Sequence, residues 1–153
     1  MRGYCGVAMY HPKNTHNWGS LCRTAQILGV DFLTTIGQRF RPVASDTQKS
    51  WRHVPVFQYQ TFEEFYAHLP FGCRLVGVEM CASAHELKDF QHPDQACYLL
   101  GAEDYGLPPA IIQRCHKVVR LAGTRSLNVS VAGSIVLYHR LALAGKAGTE
   151  GNT

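Results

Sequence analysis

Three short stretches of this chain concentrate the side chains that could do chemistry. They are "HPKNTHNWGSLCR" from His11, "GAEDYGLPP" from Gly101 and "AGTRSLN" from Ala122. Each follows an apolar run that reads as a strand and leads into a helical pattern. The first offers Asn14, Asn17 and Arg23, the second Glu103 and Asp104, and the third Thr124, Ser126 and Asn128. Amides, carboxylates, a hydroxyl and a guanidinium suit hydrogen bonding and orientation of a ligand. Each stretch also has a glycine where the backbone could turn sharply or approach a ligand closely.

Other chemistries lack their fingerprints. Neither G-x-G-x-x-G nor G-x-x-x-x-G-K-S/T occurs, so a dinucleotide crevice and a P-loop have no local support. No signature of a serine or cysteine nucleophile is present. Six cysteines and eight histidines invite a metal centre, yet no C-x-x-C pair occurs, and the Cys81/His85 spacing has no second pair to complete it. No metal is expected. Most cysteines sit in apolar runs ("LCRTA", "ACYLL"), where a free thiol behaves as a small hydrophobe.

The elements that must position these side chains alternate along the chain. Strands are expected at Tyr4–Tyr10, Val30–Gly37, Val54–Tyr59, Arg74–Met80, Ala96–Gly101 and Lys117–Ala122. Helices are expected at Gly19–Gly29, Thr61–Leu69 and Leu107–Cys115, with a last helix opening near Val129. Pro55 suggests an edge strand, and Thr61 followed by Glu64 has the form of a capping box. "RLVGVEM" and "ACYLLG" are nearly continuous apolar runs, the kind buried on both faces of a parallel sheet. The expectation is one α/β domain over residues 1–145, mostly parallel with helices on both faces, and a frayed C-terminal tail over "GKAGTEGNT". In such sheets ligands gather at the carboxyl ends of the strands, where all three polar junctions fall.

Length and composition agree with that frame. A chain of 153 residues can bury a core without metal or disulfide support. No apolar stretch reaches membrane-spanning length, and no secretion leader opens the chain, so a cytoplasmic location with reduced thiols is expected. The formal charge of +4 permits an anionic partner without demonstrating one.

Taken in order, the three junctions resemble the signature motifs of the SpoU/TrmH family of RNA ribose 2'-O-methyltransferases, within the SPOUT class. "NWGSLCRTA" matches N-x-G-x-x-x-R-S/T-A through Asn17, Gly19 and Arg23. "YLLGAEDYGLP" matches a strand followed by G-x-E-x-x-G-L through Gly101, Glu103, Gly106 and Leu107. "SLNVSVA" matches S-L-N-V-S/A-x-A from Ser126 to Ala132. The resemblance spans about Tyr4 to Leu143.

The resemblance implies an α/β fold whose C-terminal segment threads a loop into a deep trefoil knot, an exception to the rule against knotted connections. It implies S-adenosylmethionine as cofactor, RNA as substrate with tRNA favoured over rRNA, and a homodimer with the active site at or near the subunit interface. Carried over residue by residue, Val78, Gly101, Leu121, Ser126 and Leu127 would hold the cofactor. Arg23, Asn17, Glu103, Ser126 and Asn128 would serve the reacting centre. Leu121-Ala122 stands where many relatives have Ile-Pro. Trp18 would either stack on a substrate base or pack against the partner subunit. Arg39, Arg41, Lys49 and Arg52, interleaved with Phe40 and Trp51, form a basic stretch suited to phosphates and base stacking. Two rivals stand beside this reading: methylation of a base nitrogen on the same fold, and a non-catalytic RNA-binding or assembly protein.

Overall fold

The computed structural model describes residues 3–37 and 53–150. The basic stretch containing Arg39, Arg41, Lys49 and Arg52 lies outside the described residues. Within them, seven strands form one sheet in the order β3-β2-β1-β6-β4-β7-β5, every pairing parallel. The strands are β1 Tyr4–Tyr10, β2 Phe32–Ile36, β3 Val56–Tyr59, β4 Arg74–Val78, β5 His85–Glu86, β6 Gln95–Leu100 and β7 Lys117–Arg120. The helices are α1 Thr15–Ile27, α2 Phe62–Ala67, α3 Pro109–Ile112 and α4 Val129–Glu150.

The central strands β1, β4 and β6 are almost entirely buried, as their unbroken apolar runs require. Side chains alternate between two cores. On one face Val7, Met9 and Leu33 pack with Leu21, Cys22, Val136 and Leu137 of α1 and α4. On the other, Ala8, Ile36, Leu75 and Leu99 pack with Phe62 and Phe65 of α2 and Ile111 of α3. Helices therefore cover both faces, as expected. Strand β3, preceded by Pro55, lies at the sheet edge among the described residues.

Several boundaries differ from the sequence expectation by a residue or more, and three helices differ most. Helix α1 begins at Thr15, four residues before Gly19, because the Asn14 side chain accepts the backbone N–H groups of His16 and Asn17 and caps it. Helix α3 is only Pro109–Ile112; two further turns with i−3 bonds carry the chain through Arg114 and Cys115 to β7. Helix α4 continues through Gly145 and Gly148 to Glu150, where a frayed tail was expected. Two glycines weaken a helix by about 1 kcal/mol each, whereas a proline, the residue that stops one, is absent from this stretch. The two-residue strand β5 and the 3-10 turn at Leu87–Asp89 went unanticipated, being too short for any periodicity.

Helix α4 is anchored to the sheet by a buried cation. Arg140, 8 % exposed, donates to the carbonyls of Tyr4, Pro93 and Asp94 and to the Tyr98 hydroxyl. A buried charge is tolerated when its donors are met this fully. Tyr4 and Asp94 stand at the amino ends of β1 and β6, so this anchor fixes the middle of α4 there.

Candidate functional site

The three polar junctions meet at the carboxyl ends of β1, β6 and β7. Strand β1 pairs with β6 in register from Tyr4↔Gln95 to Met9↔Leu100, so the loops that follow leave the sheet side by side. The loop after β6 closes on itself: Ala102 and Gly106 form a two-way backbone bridge. Gly106 takes a φ of +69°, and a Cβ on Gly101 would lie 2.5–2.7 Å from the Gly106–Leu107 backbone. The Gly101 position is thus required by the turn itself.

The turn presents the Glu103 carboxylate to the first junction. Its Oε2 accepts the Lys13 backbone N–H at 3.2 Å, and its Oε1 accepts the Asn14 N–H at 3.2 Å and Asn17 Nδ2 at 3.4 Å. Asn17 Oδ1 in turn accepts Asn128 Nδ2 at 2.9 Å. Asn128 also caps α4, its Oδ1 accepting the N–H groups of Ser130 at 2.9 Å and Val131 at 3.3 Å. One chain of hydrogen bonds, Glu103–Asn17–Asn128, therefore joins all three junctions. An ion pair between Lys13 and Asp104 runs beside it, the ammonium holding that carboxyl below its ordinary range.

A second carboxylate, absent from the sequence reading, braces the same turn. Glu79, just past β4, accepts the Leu107 N–H at 2.7 Å through Oε2 and the Met80 N–H at 3.0 Å through Oε1. Only its place one residue beyond Val78, at the end of a buried strand, could have signalled it.

A small pocket opens beside this network between the ends of β4 and β7. Val78, Glu79, Met80, Leu121, Ser126 and Leu127 contribute to its lining, as do Arg120 and Arg125. Four of the five residues expected to hold the cofactor meet here; Gly101 does not line the pocket. The pocket thus pairs an apolar wall with a hydroxyl, a carboxylate and two guanidiniums. Arg120 is engaged by Glu86, Nε to Oε1 at 2.6 Å.

Two expected residues stand apart. Arg23 lies on α1 six residues beyond Asn17, roughly 120° around the helix; it is exposed and has no ion pair among the described residues. Ser126 lines the pocket but has no hydrogen bond to the Asn17–Asn128 pair among the described residues. Trp18 corrects both expectations made for it. It is 7 % exposed and packs into the chain's own core with Leu21 and Met9, because its place on α1 turns it toward the sheet.

Comparison with known proteins identifies the class to which this fold and site belong. The model of the SpoU rRNA methylase family matches residues 5–138. The chain belongs to that family. It is 30 % identical over 131 residues to the tRNA (guanosine(18)-2'-O)-methyltransferase TARBP1 of Mus musculus, covering 80 % of this chain and 8 % of that protein. It is 28 % identical over 138 residues to the tRNA (guanosine(18)-2'-O)-methyltransferase of Escherichia coli K12, covering 86 % and 60 %. The chain thus spans less than two thirds of the length of these relatives. Among solved structures, the A. aeolicus TrmH/SpoU tRNA modifying enzyme superposes with a TM-score of 0.84 at 22 % identity, over 94 % of this chain and 77 % of that one. A structure concerned with 2-OH methylation of C/U34 on tRNA superposes with a TM-score of 0.79 at 25 % identity, over 93 % and 97 %.

Proposed function

We propose that the protein is an S-adenosylmethionine-dependent RNA ribose 2'-O-methyltransferase that acts on tRNA as a homodimer. The observation that carries this reading is the hydrogen-bonded chain Glu103–Asn17–Asn128, which gathers all three family motifs beside the Val78–Leu121–Leu127 pocket. The pocket fits the cofactor's chemistry: Val78, Leu121 and Leu127 offer an apolar wall to an adenine, and Ser126 a hydroxyl at its edge. A solved rRNA methyltransferase from Sinorhizobium meliloti with the same fold, TM-score 0.81 at 22 % identity, holds AdoMet. On this reading residues 121–128 form the threaded loop of the knot, and α4 is the helix that follows it.

The bound cofactor supplies an electrophilic methyl group on a positively charged sulfur. The chain's own task is alignment, because charge disappears during the transfer and demands little stabilisation at sulfur. Asn17 and Asn128 orient the ribose through their amides, and Glu103 fixes the Asn17 side chain. Arg23 brings a planar cation with several N–H donors in a fixed fork. It pairs with the neighbouring phosphate and polarises the 2'-hydroxyl.

Arg23 is exposed and outside its own chain's hydrogen-bonded group, which suits a residue donated across a dimer. The α1–α4 layer has the surface for one. Val131, Ile135 and Tyr138 recur at helical spacing on α4 and are all exposed, as is Ile27 on α1. The preference for tRNA is supported by the C/U34 structure, 97 % of whose chain is covered by the superposition.

The test is incubation of purified protein with labelled S-adenosylmethionine and total cellular RNA, followed by nuclease digestion and nucleoside analysis. A 2'-O-methylated nucleoside from the tRNA fraction that disappears with Arg23→Ala supports the reading. A methylated base would place the chemistry on nitrogen, and neither cofactor binding nor product would make the chain a non-catalytic member.

A further inference from the structure

Three charged side chains line the pocket between the ends of β4 and β7, and two of them are already engaged. Arg120 stands opposite Glu86 in the β7–β5 ladder, and its Nε and Nη2 both reach Glu86 Oε1 at 2.6 Å. The Glu79 carboxylate accepts the Leu107 N–H at 2.7 Å and the Met80 N–H at 3.0 Å, which fixes its place and leaves its negative charge on the pocket lining. The third is Arg125, in the loop between β7 and α4. It is exposed, and its side chain makes no hydrogen bond or ion pair among the described residues. The chemistry described above gives this cation nothing to do.

The order of the loop sets where the cation stands. Arg125 comes three residues before Asn128, whose Nδ2 donates to Asn17 Oδ1 at 2.9 Å. Three residues span at most about 10 Å of chain. Ser126 and Leu127, the two between, both line the pocket. The Arg125 guanidinium therefore has within its reach the space between the apolar wall of Val78 and Leu121 and the Asn17–Asn128 amide pair.

On the function proposed above, that space must accept a negative charge. The ligand is a sulfonium nucleoside with an amino-acid end, and three carbons separate its sulfur from its α-carboxylate. Taking a carboxylate out of water is costly unless a counter-charge meets it. The Glu79 carboxylate on the same lining raises that cost. Arg120 could answer only by leaving Glu86. Arg125 is free to answer, and a guanidinium meets a carboxylate with two parallel N–H donors.

We propose that Arg125 receives the α-carboxylate of S-adenosylmethionine, fixing the amino-acid end of the cofactor so that its methyl group faces the amide pair. This assignment rests on the function proposed above. It divides the two free arginines of the motifs, Arg125 serving the cofactor and Arg23 the RNA.

The test is calorimetric titration of the purified protein with S-adenosylmethionine and with decarboxylated S-adenosylmethionine, which lacks that one group. Wild type is expected to bind the complete cofactor roughly tenfold more tightly. Arg125→Ala is expected to lose that tenfold for S-adenosylmethionine and to bind the decarboxylated form as wild type does. Arg125→Lys, which keeps the charge, is expected to recover part of the loss. Equal weakening of both ligands in Arg125→Ala would overturn the proposal, because the side chain would then be supporting the loop. Unaltered affinity for S-adenosylmethionine in that variant, with a raised RNA concentration for half-maximal transfer, would overturn it by assigning the guanidinium to an RNA phosphate. Wild-type protein that binds neither nucleoside would overturn the functional reading, and this assignment with it.

Discussion

Asn128 Nδ2 donates to Asn17 Oδ1 at 2.9 Å, joining side chains 111 residues apart. The bond makes the start of α4 and the start of α1 one unit. Asn128 does two separable things, since its Oδ1 caps α4 while its Nδ2 holds Asn17. Asn128→Asp keeps the cap and replaces the donor by a second acceptor. Asn17 cannot answer by flipping its amide without turning its oxygen toward Glu103. Asn128→Asp is therefore expected to keep its thermal midpoint and lose roughly tenfold in methyl transfer, the equivalent of about 1.4 kcal/mol. Asn128→Ala loses the cap as well, about 1 kcal/mol of stability. Thermal unfolding alongside initial rates separates the two; equal rates in Asn128→Asp and wild type would detach this bond from the chemistry.

Arg23→Lys tests whether geometry or charge matters at that position. The residue is exposed and without an ion pair among the described residues, so the fold should not respond. Lysine keeps the charge but lacks the planar fork that engages a phosphate and a hydroxyl together. Transfer is expected to fall on the order of 100-fold with cofactor affinity unchanged. A lysine variant that retains most of its turnover would remove the polarising role.

The contrast between what the sequence disclosed and what it concealed follows from range. Strand β1 was legible to the residue because an apolar run ends at a polar junction on both sides. Asn17, Glu103 and Asn128 were legible through the resemblance of their motifs, yet their hydrogen-bonded order was not, since it spans two crossovers. The start of α1 was hidden because "NTHNWG" has the composition of a loop, and only the Asn14 cap makes it helical. Trp18 misled because its neighbours are polar; burial depends on which way α1 rolls onto the sheet. Glu79 was missed because it belongs to no motif. Its role comes from the Leu107 N–H that arrives opposite it from 28 residues away.

Glu79 and Gly106 should behave as a coupled pair. A Cβ on Gly106 would stand 2.2 Å from Glu79 Oε2, and the glycine's φ of +69° already disfavours alanine. Glu79→Ala leaves the Leu107 and Met80 N–H groups without their acceptor, at about 1–3 kcal/mol. Gly106→Ala forces the carboxylate aside. Each single variant is expected to lower stability in urea unfolding, and the double variant by less than the two together, since alanine at position 79 removes the clash. Strict additivity would show that the carboxylate does not brace the turn.

The polar cluster under α4 sets the response to acid. His92 Nδ1 lies 2.6 Å from the Tyr98 hydroxyl and His92 Nε2 lies 2.7 Å from His139 Nδ1. Burial, then His139, then the Arg140 guanidinium push the His92 pKa down from 6.5 to about 4. A histidine whose folded pKa lies below its unfolded value binds its proton more tightly when unfolded. Its neutral form is fully compatible with the fold above pH 6.5, and stability drains as pH falls from there toward 4. His92 is only partly buried, so solvent screening moderates the size of the effect. Denaturant midpoints measured from pH 7.5 to 4.5 are expected to fall in wild type and to fall less steeply in His92→Gln, which can still hydrogen-bond but cannot take up a proton. Parallel slopes for the two proteins would place the acid sensitivity elsewhere, and would mean that the Arg140 anchor tolerates a second cation beside it.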